Sequence, residues 1–228
     1  MAYVIEPRDP LTQSEGVVRG YAQTALRWPS QPLARRAHGA AELSGPAGLQ
    51  KKLPLLRGDL AGYGEKRAIG QLIQIRTRVV DEDGAPVPGA MVEVWHCNAA
   101  GKYIHPNDDN DAPPDPNFYG AARVMTGDDG LIELRTIKPA AYPVPGTGGW
   151  WRPPHVHYSV WGRVWLSRLV TQMFFPGEPL NEHDAILNAV RDPEARSGCI
   201  ARLVPRENIL VYEHQLVVRG RKASPALP

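Results

Sequence analysis

Hydrophobic and polar positions follow no regular period over the first 65 residues, where Pro7, Pro10, Pro29, Pro32, Pro46 and Pro54 punctuate the chain. The pattern there supports at most short helical pieces near Ser14–Leu26 and Gly48–Leu53. From Ile69 the pattern changes. Ile69, Ile73, Ile75, Val79 and Val80 form a β-branched run, and Asp81-Glu-Asp-Gly84 reads as the turn that ends it. Val87 to Trp95 brings the chain back, with Met91, Glu93 and Trp95 on one face and Val92 and Val94 on the other. Residues 98–120 are polar and rich in Pro and Asp, a long loop of the kind that in a compact domain usually carries function. Two more strands, Ala121–Thr126 and Leu131–Ile137, flank the turn Gly127-Asp-Asp-Gly130. After a second loop, Pro139–Pro153, strands are expected at His155–Val160 and Arg168–Phe175, a short helix at Ala185–Val190, and a last strand at Ile209–Val218. Short strands between frequent turn signals predict an all-β fold, a two-sheet antiparallel β-sandwich with few short helices. It would occupy residues 66–228, with residues 1–65 as an irregular arm wrapping the core or a partner.

Composition sharpens this picture. Twenty-three Pro and 22 Gly break the chain too often for long helices. Twenty-six Lys+Arg against 24 Asp+Glu leave a formal charge of +2, which removes the electrostatic case for a nucleic-acid binder. No apolar run approaches a membrane span, and Glu6, Pro7, Asp9 and Pro10 stand where a signal peptide would be apolar. Cys97 and Cys199 lack zinc-type spacing, so a reduced, cytoplasmic protein is expected.

The segment richest in chemistry is Trp150-Trp-Arg152-Pro-Pro-His155-Val-His157. Side chains two apart on a strand share a face, so His155 and His157 point the same way, as half of a metal site or as a hydrogen-bonded pair. No carboxylate or cysteine sits at a telling distance. Tyr103 and Tyr142 lie in the two long loops, as further ligands or as tyrosines packed on proline, and spacing does not decide between these. His96, His105 and His183 lack partners at strand spacing and read as surface or loop histidines; Cys97 reads as a small buried hydrophobe, and Tyr21 as a pocket residue or, more simply, a packing residue.

Several segments taken together resemble the intradiol ring-cleavage dioxygenases. They run from Val79-Val-Asp81 through Val92-Glu-Val-Trp95, Asn98, Gly101, Tyr103 and Asp115-Pro-Asn-Phe118. They continue through Arg135-Thr-Ile-Lys-Pro139, Tyr142-Pro143, Trp151-Arg152-Pro153, His155, His157, Thr171-Gln172, Phe174 and Arg219-Gly-Arg221, covering roughly residues 65 to 222. The resemblance implies a non-haem Fe(III) ion on Tyr103, Tyr142, His155 and His157, with Tyr142 and His157 axial and a hydroxide completing the set. The donor types suit that ion. Free tyrosine has a pKa near 10, so a strongly acidic cation is needed to keep two phenolates, and hard anionic oxygen favours Fe(III). By the same resemblance Tyr142 leaves the iron as a catechol chelates, Arg152 stabilises charge on the ring as oxygen attacks, and Gln172 and Trp95 face the substrate.

Within the family the chain is most like the branch that cleaves 3,4-dihydroxybenzoate (protocatechuate) to 3-carboxy-cis,cis-muconate in aromatic-compound catabolism. Members of that branch pair an iron-bearing β chain with a homologous α subunit in a symmetric hetero-oligomer, so an α partner is expected here. One alternative keeps the chemistry and changes the substrate to catechol or hydroxyquinol. Another is a non-enzymatic, transthyretin-like binding sandwich, for which residues 81–94 alone would suffice. The two tyrosines with the two histidines argue against it, since a binding module has no use for four metal ligands.

Overall fold

The computed structural model describes residues 8–14, 21, 31, 58–62, 66–161 and 168–227. Apart from Ser14 and Tyr21, the helical pieces expected in the arm lie outside the described residues.

Among the described residues, ten strands form the body: β1 (Leu72–Val80), β2 (Met91–Trp95), β3 (Ala121–Met125), β4 (Leu131–Ile137), β5 (Tyr142–Pro143), β6 (Trp151–Arg152), β7 (His155–Trp161), β8 (Arg168–Phe174), β9 (Arg202–Arg206) and β10 (Ile209–Val217). One sheet has the order β4-β1-β10-β9, the other β3-β2-β7-β8, and β5-β6 make a small ribbon. The expected sandwich is therefore present. Its pairings are antiparallel except that β10 runs parallel to β1, with Ile73 opposite Leu210 and Val80 opposite Val217.

The larger apolar cluster of the described residues lies between the sheets. It takes Ile73, Ile75 and Val79 from β1, Val92 and Val94 from β2, Leu134 from β4, Val156, Tyr158 and Val160 from β7, and Leu169 and Met173 from β8. Burying each large side chain here contributes about 1.5–3 kcal/mol. Leu60 and Ala61, ahead of β1, also enter the core. The Thr77 and Tyr158 hydroxyls, 2.8 Å apart, tie the two sheets together. A smaller cluster of Phe174, Ile186, Leu187, Val190, Cys199 and Leu227 packs on the other side of β8.

Several expectations need correction. Ile69 precedes the strand and is 74% exposed, because Gly70, at φ +131°, turns the chain before β1 begins. The helix expected at Ala185–Val190 is a 3-10 turn, Leu187–Ala189, with another at Pro179–His183. A short helix, α1 (Pro193–Gly198), follows, capped by the Asp192 carboxylate accepting the Ala195 N–H at 2.8 Å. Strand β9 was not expected: Pro205 and exposed arginines disguise it, and both are tolerated because β9 is a sheet edge. His96 is not a surface residue. It is 1% exposed, its Nδ1–H donates to the Cys97 carbonyl at 2.7 Å, and its Nε2 accepts from Thr136 Oγ1 at 2.8 Å. His105 and His183 are exposed, and Cys97 is buried, as expected.

Buried histidines make the fold acid-sensitive. Burial holds the pKa of both His96 and His214 down to about 4, against about 6.5 in an unfolded chain. The unfolded state therefore binds more protons between these values, and stability drops as pH falls from about 6.5 towards 4. Denaturant titrations across this range should show that decline, and His214→Gln should flatten its slope by about one proton.

Candidate metal centre

The site forms on the face of β3-β2-β7-β8 turned away from the core. Val156, Tyr158 and Val160 occupy the core side of β7, so the pleat sends His155 and His157 outward together. Register then gives each a neighbour: His157 lies between Trp95 and Gln172, and His155 beside Phe174. The Trp95 ring stacks on His157 with centroids 4.9 Å apart and planes within 3°.

The two tyrosines come from the loops. Asn98 organises the first loop, its Oδ1 accepting the Ala100 and Lys102 N–H groups, both at 2.9 Å. Gly101, at φ +89°, lets this loop press on the second; a Cβ there would stand 3.1 Å from that of Tyr142. Asp108 Oδ2 accepts the Tyr103 N–H at 2.6 Å and fixes where the ring starts. Tyr142 is held in the β5-β6 ribbon opposite Arg152.

Four donor atoms converge. His155 Nε2 and His157 Nε2 are 3.2 Å apart; Tyr103 Oη is 3.4 Å from the first and 3.2 Å from the second; Tyr142 Oη is 3.4 Å from His155 Nε2. Donors about 2.1 Å from a common cation and separated by roughly 90–110° lie about 3.0–3.4 Å apart, so these spacings suit one shared ion. The tautomer of His155 is fixed as well. Its Nδ1 lies 2.7 Å from the Pro153 carbonyl, which can only accept, so the proton is on Nδ1 and Nε2 is the unprotonated nitrogen. Among the described residues no group of three or more His, Cys, Asp or Glu is placed to hold a metal, so phenol oxygen is essential to this donor set.

Electrostatics agree with that reading. Burial first, then the Arg152 charge, keeps both imidazoles neutral, His157 down to about 3 and His155 well below its ordinary value. Burial also pushes both tyrosines above their usual value, so without a cation the phenols stay protonated. A hard, highly charged cation would reverse this by taking two phenolates at once.

Arg152 is 1% exposed and stands beside the cluster, with Nη1 3.1 Å from His155 Nε2. Its Nη2 donates to Gln172 Oε1 at 2.7 Å. All seven residues expected at the site, Trp95, Tyr103, Tyr142, Arg152, His155, His157 and Gln172, thus lie together. Two partners were missed. Pro153 contributes only a carbonyl, for which sequence offers no signal. Asp184 is 0% exposed and accepts from Arg152 Nε at 2.9 Å; its one sequence cue is an acid ahead of Ala-Ile-Leu, which reads merely as a cap.

A family model described as "Dioxygenase" matches residues 45–220. The protocatechuate 3,4-dioxygenase beta chain of Burkholderia cepacia is 39% identical over 229 residues, covering 97% of each chain. Hydroxyquinol 1,2-dioxygenase of a Rhizobium strain is 34% identical over 128 residues, 51% of this chain and 42% of that enzyme. Among solved structures, chlorocatechol 1,2-dioxygenase of Pseudomonas putida superposes with a TM-score of 0.53 at 27% identity, over 72% of this chain and 65% of that one. The 3-chlorocatechol 1,2-dioxygenase of Rhodococcus opacus, at 24% identity and a TM-score of 0.55 over 69% and 62%, supports the fold alone.

Because burial keeps both phenols protonated when no cation is bound, loading a trivalent cation should release at least two protons, and apparent affinity should rise with pH. Titration of stripped protein with ferric ion in weak buffer containing a pH indicator measures this. Tyr103→Phe should cut the release by about one proton and weaken retention.

Proposed function

The chain belongs to the intradiol ring-cleavage dioxygenases, and on that footing we propose that it holds one ferric ion on Tyr103, Tyr142, His155 and His157 and cleaves 3,4-dihydroxybenzoate with dioxygen. The product would be 3-carboxy-cis,cis-muconate. The observation that carries the metal is the convergence of two phenol oxygens and two imidazole nitrogens within 3.4 Å contacts. The substrate is supported by the end-to-end match to a protocatechuate 3,4-dioxygenase beta chain, whereas the hydroxyquinol relative matches 51% of this chain. Family membership removes the non-enzymatic sandwich reading.

A ferric ion held by Tyr103, Tyr142, His155 and His157 would supply Lewis acidity and a one-electron acceptor. The chain's own groups do the rest. His155 and His157 offer neutral lone pairs, and the Pro153 carbonyl and the Trp95 ring keep each imidazole in its pose. Tyr142 Oη serves as acceptor for a substrate hydroxyl proton, since a phenol in so buried a place holds a proton readily. Arg152 places a fixed positive charge at the edge of the cluster, where negative charge grows on the ring. Gln172 braces that arginine and, with Trp95, forms part of the pocket wall.

An α subunit is the partner in this reading, and the stretch before residue 66 is an arm for assembly and pocket contacts, with the catalytic sandwich in 66–228. The B. cepacia relative is named a beta chain. Ile104 and Trp151, next in sequence to Tyr103 and Arg152, are 62% and 48% exposed, apolar surface flanking the site that a second chain would cover. Among the described residues no helix is long and apolar enough to cross a membrane.

Incubation with 3,4-dihydroxybenzoate under labelled dioxygen should give a ring-opened tricarboxylic acid carrying both oxygen atoms, read by mass spectrometry. Faster turnover of catechol or hydroxyquinol would move the substrate assignment to those relatives. Arg152→Ala should still chelate substrate anaerobically, yet lose roughly two to three decades in the following reaction with oxygen. Tyr142→Phe should instead slow chelation while keeping its iron. Stopped-flow absorbance with an oxygen pulse separates the two steps.

A further inference from the structure

Arg152 and Asp184 form a buried ion pair, 1% and 0% exposed at the side chains. The contact is a fork: Nε donates to Oδ2 at 2.9 Å and Nη2 to Oδ1 at 3.2 Å. Nη2 also donates to Gln172 Oε1 at 2.7 Å. A planar guanidinium held along one edge by a carboxylate and at a corner by an amide cannot swing, so its remaining nitrogen, Nη1, faces the donor cluster. Burial opposes the charge on Arg152, and the Asp184 carboxylate, with smaller contributions from Tyr142 and Tyr103, more than offsets it. Asp184 is itself anchored. Its Oδ1 accepts the backbone N–H groups of Ile186 at 3.1 Å and Leu187 at 2.8 Å, so the 3-10 turn over β8 is tied to the same carboxylate.

We propose that Asp184 is a positioning residue of this active site, which clamps Arg152 so that Nη1 points at the donor cluster and thereby sets the oxygen-reaction step without touching substrate or metal. The proposal rests on the dioxygenase reading for that last step, while the clamp itself is a property of the folded chain. Asp184 lies 32 positions from Arg152 in sequence, at the end of the Pro179–His183 turn, and its side chain reaches the donor cluster through the guanidinium.

The test has one arm independent of turnover. In metal-stripped protein the Arg152 Nε–H should exchange slowly with solvent by nuclear magnetic resonance, and Asp184→Asn should speed that exchange by about tenfold or more, the energy of one charge-assisted bond, with the rest of the spectrum kept. The kinetic arm uses iron-loaded protein. Asp184→Asn should keep its iron and chelate 3,4-dihydroxybenzoate within about threefold of wild type, but lose roughly 10- to 100-fold in the oxygen step. In an Arg152→Ala background the same substitution should cause no further loss, because the residue it positions is gone. Unchanged Nε–H exchange overturns the clamp. A wild-type oxygen step, or an equal loss in the Arg152→Ala background, overturns the positioning role. Should Asp184→Asn fail to fold, Asp184→Glu keeps the charge but displaces the fork by one methylene, and the same readings decide. If wild-type protein consumes no oxygen while the exchange result holds, the functional reading has failed and the clamp has not.

Discussion

Val156, Tyr158 and Val160 on β7 must face the opposing sheet, because together they fill the middle of the apolar core, and the pleat then delivers His155 and His157 to the other face. Core packing and ligand placement are thus one constraint. A slip of one residue along β7 would expose three large side chains and bury both imidazoles in the core. The same register lays Trp95 on His157 and brings Gln172 beside it, so the neighbouring strands support the site without any loop having to find it. The loops have a narrower task, which is to bring one tyrosine each.

Burying so many polar groups requires that each be answered. His155 gives its Nδ1 proton to a backbone carbonyl, and Arg152 gives its charge to Asp184. The phenol and imidazole donors are left meeting one another around a common point, with Arg152 Nη1 beside them. Burial keeps both tyrosines protonated and both histidines neutral, a state that a hard trivalent cation would convert and a soft divalent one would convert poorly.

Much of this was legible in the sequence. The β-branched runs around Ile73 and Val92 and the turns at Asp81–Gly84 and Gly127–Gly130 marked the strands because local chemistry and tertiary demand coincide there. The histidine pair followed from strand periodicity, and the tyrosines from likeness to a known family. Other features depend on contacts that no local pattern encodes. The edge strand β9 carries Pro205 and arginines, which local propensity reads as loop. His96 is buried because Thr136 and the Cys97 carbonyl satisfy both ring nitrogens, a fact of packing. Asp184 meets Arg152 through the way the 3-10 turns cover β8, and nothing near either residue in sequence announces the other.

Binding of one ferric ion by two tyrosinates is the centre of the proposed chemistry, and visible absorption with resonance Raman scattering of the purified protein tests it directly. The protein should be burgundy, with a broad tyrosinate-to-iron charge-transfer band, tyrosinate ring modes enhanced within that band, and about one iron per chain. A colourless protein that takes up no ferric ion on reconstitution would contradict it.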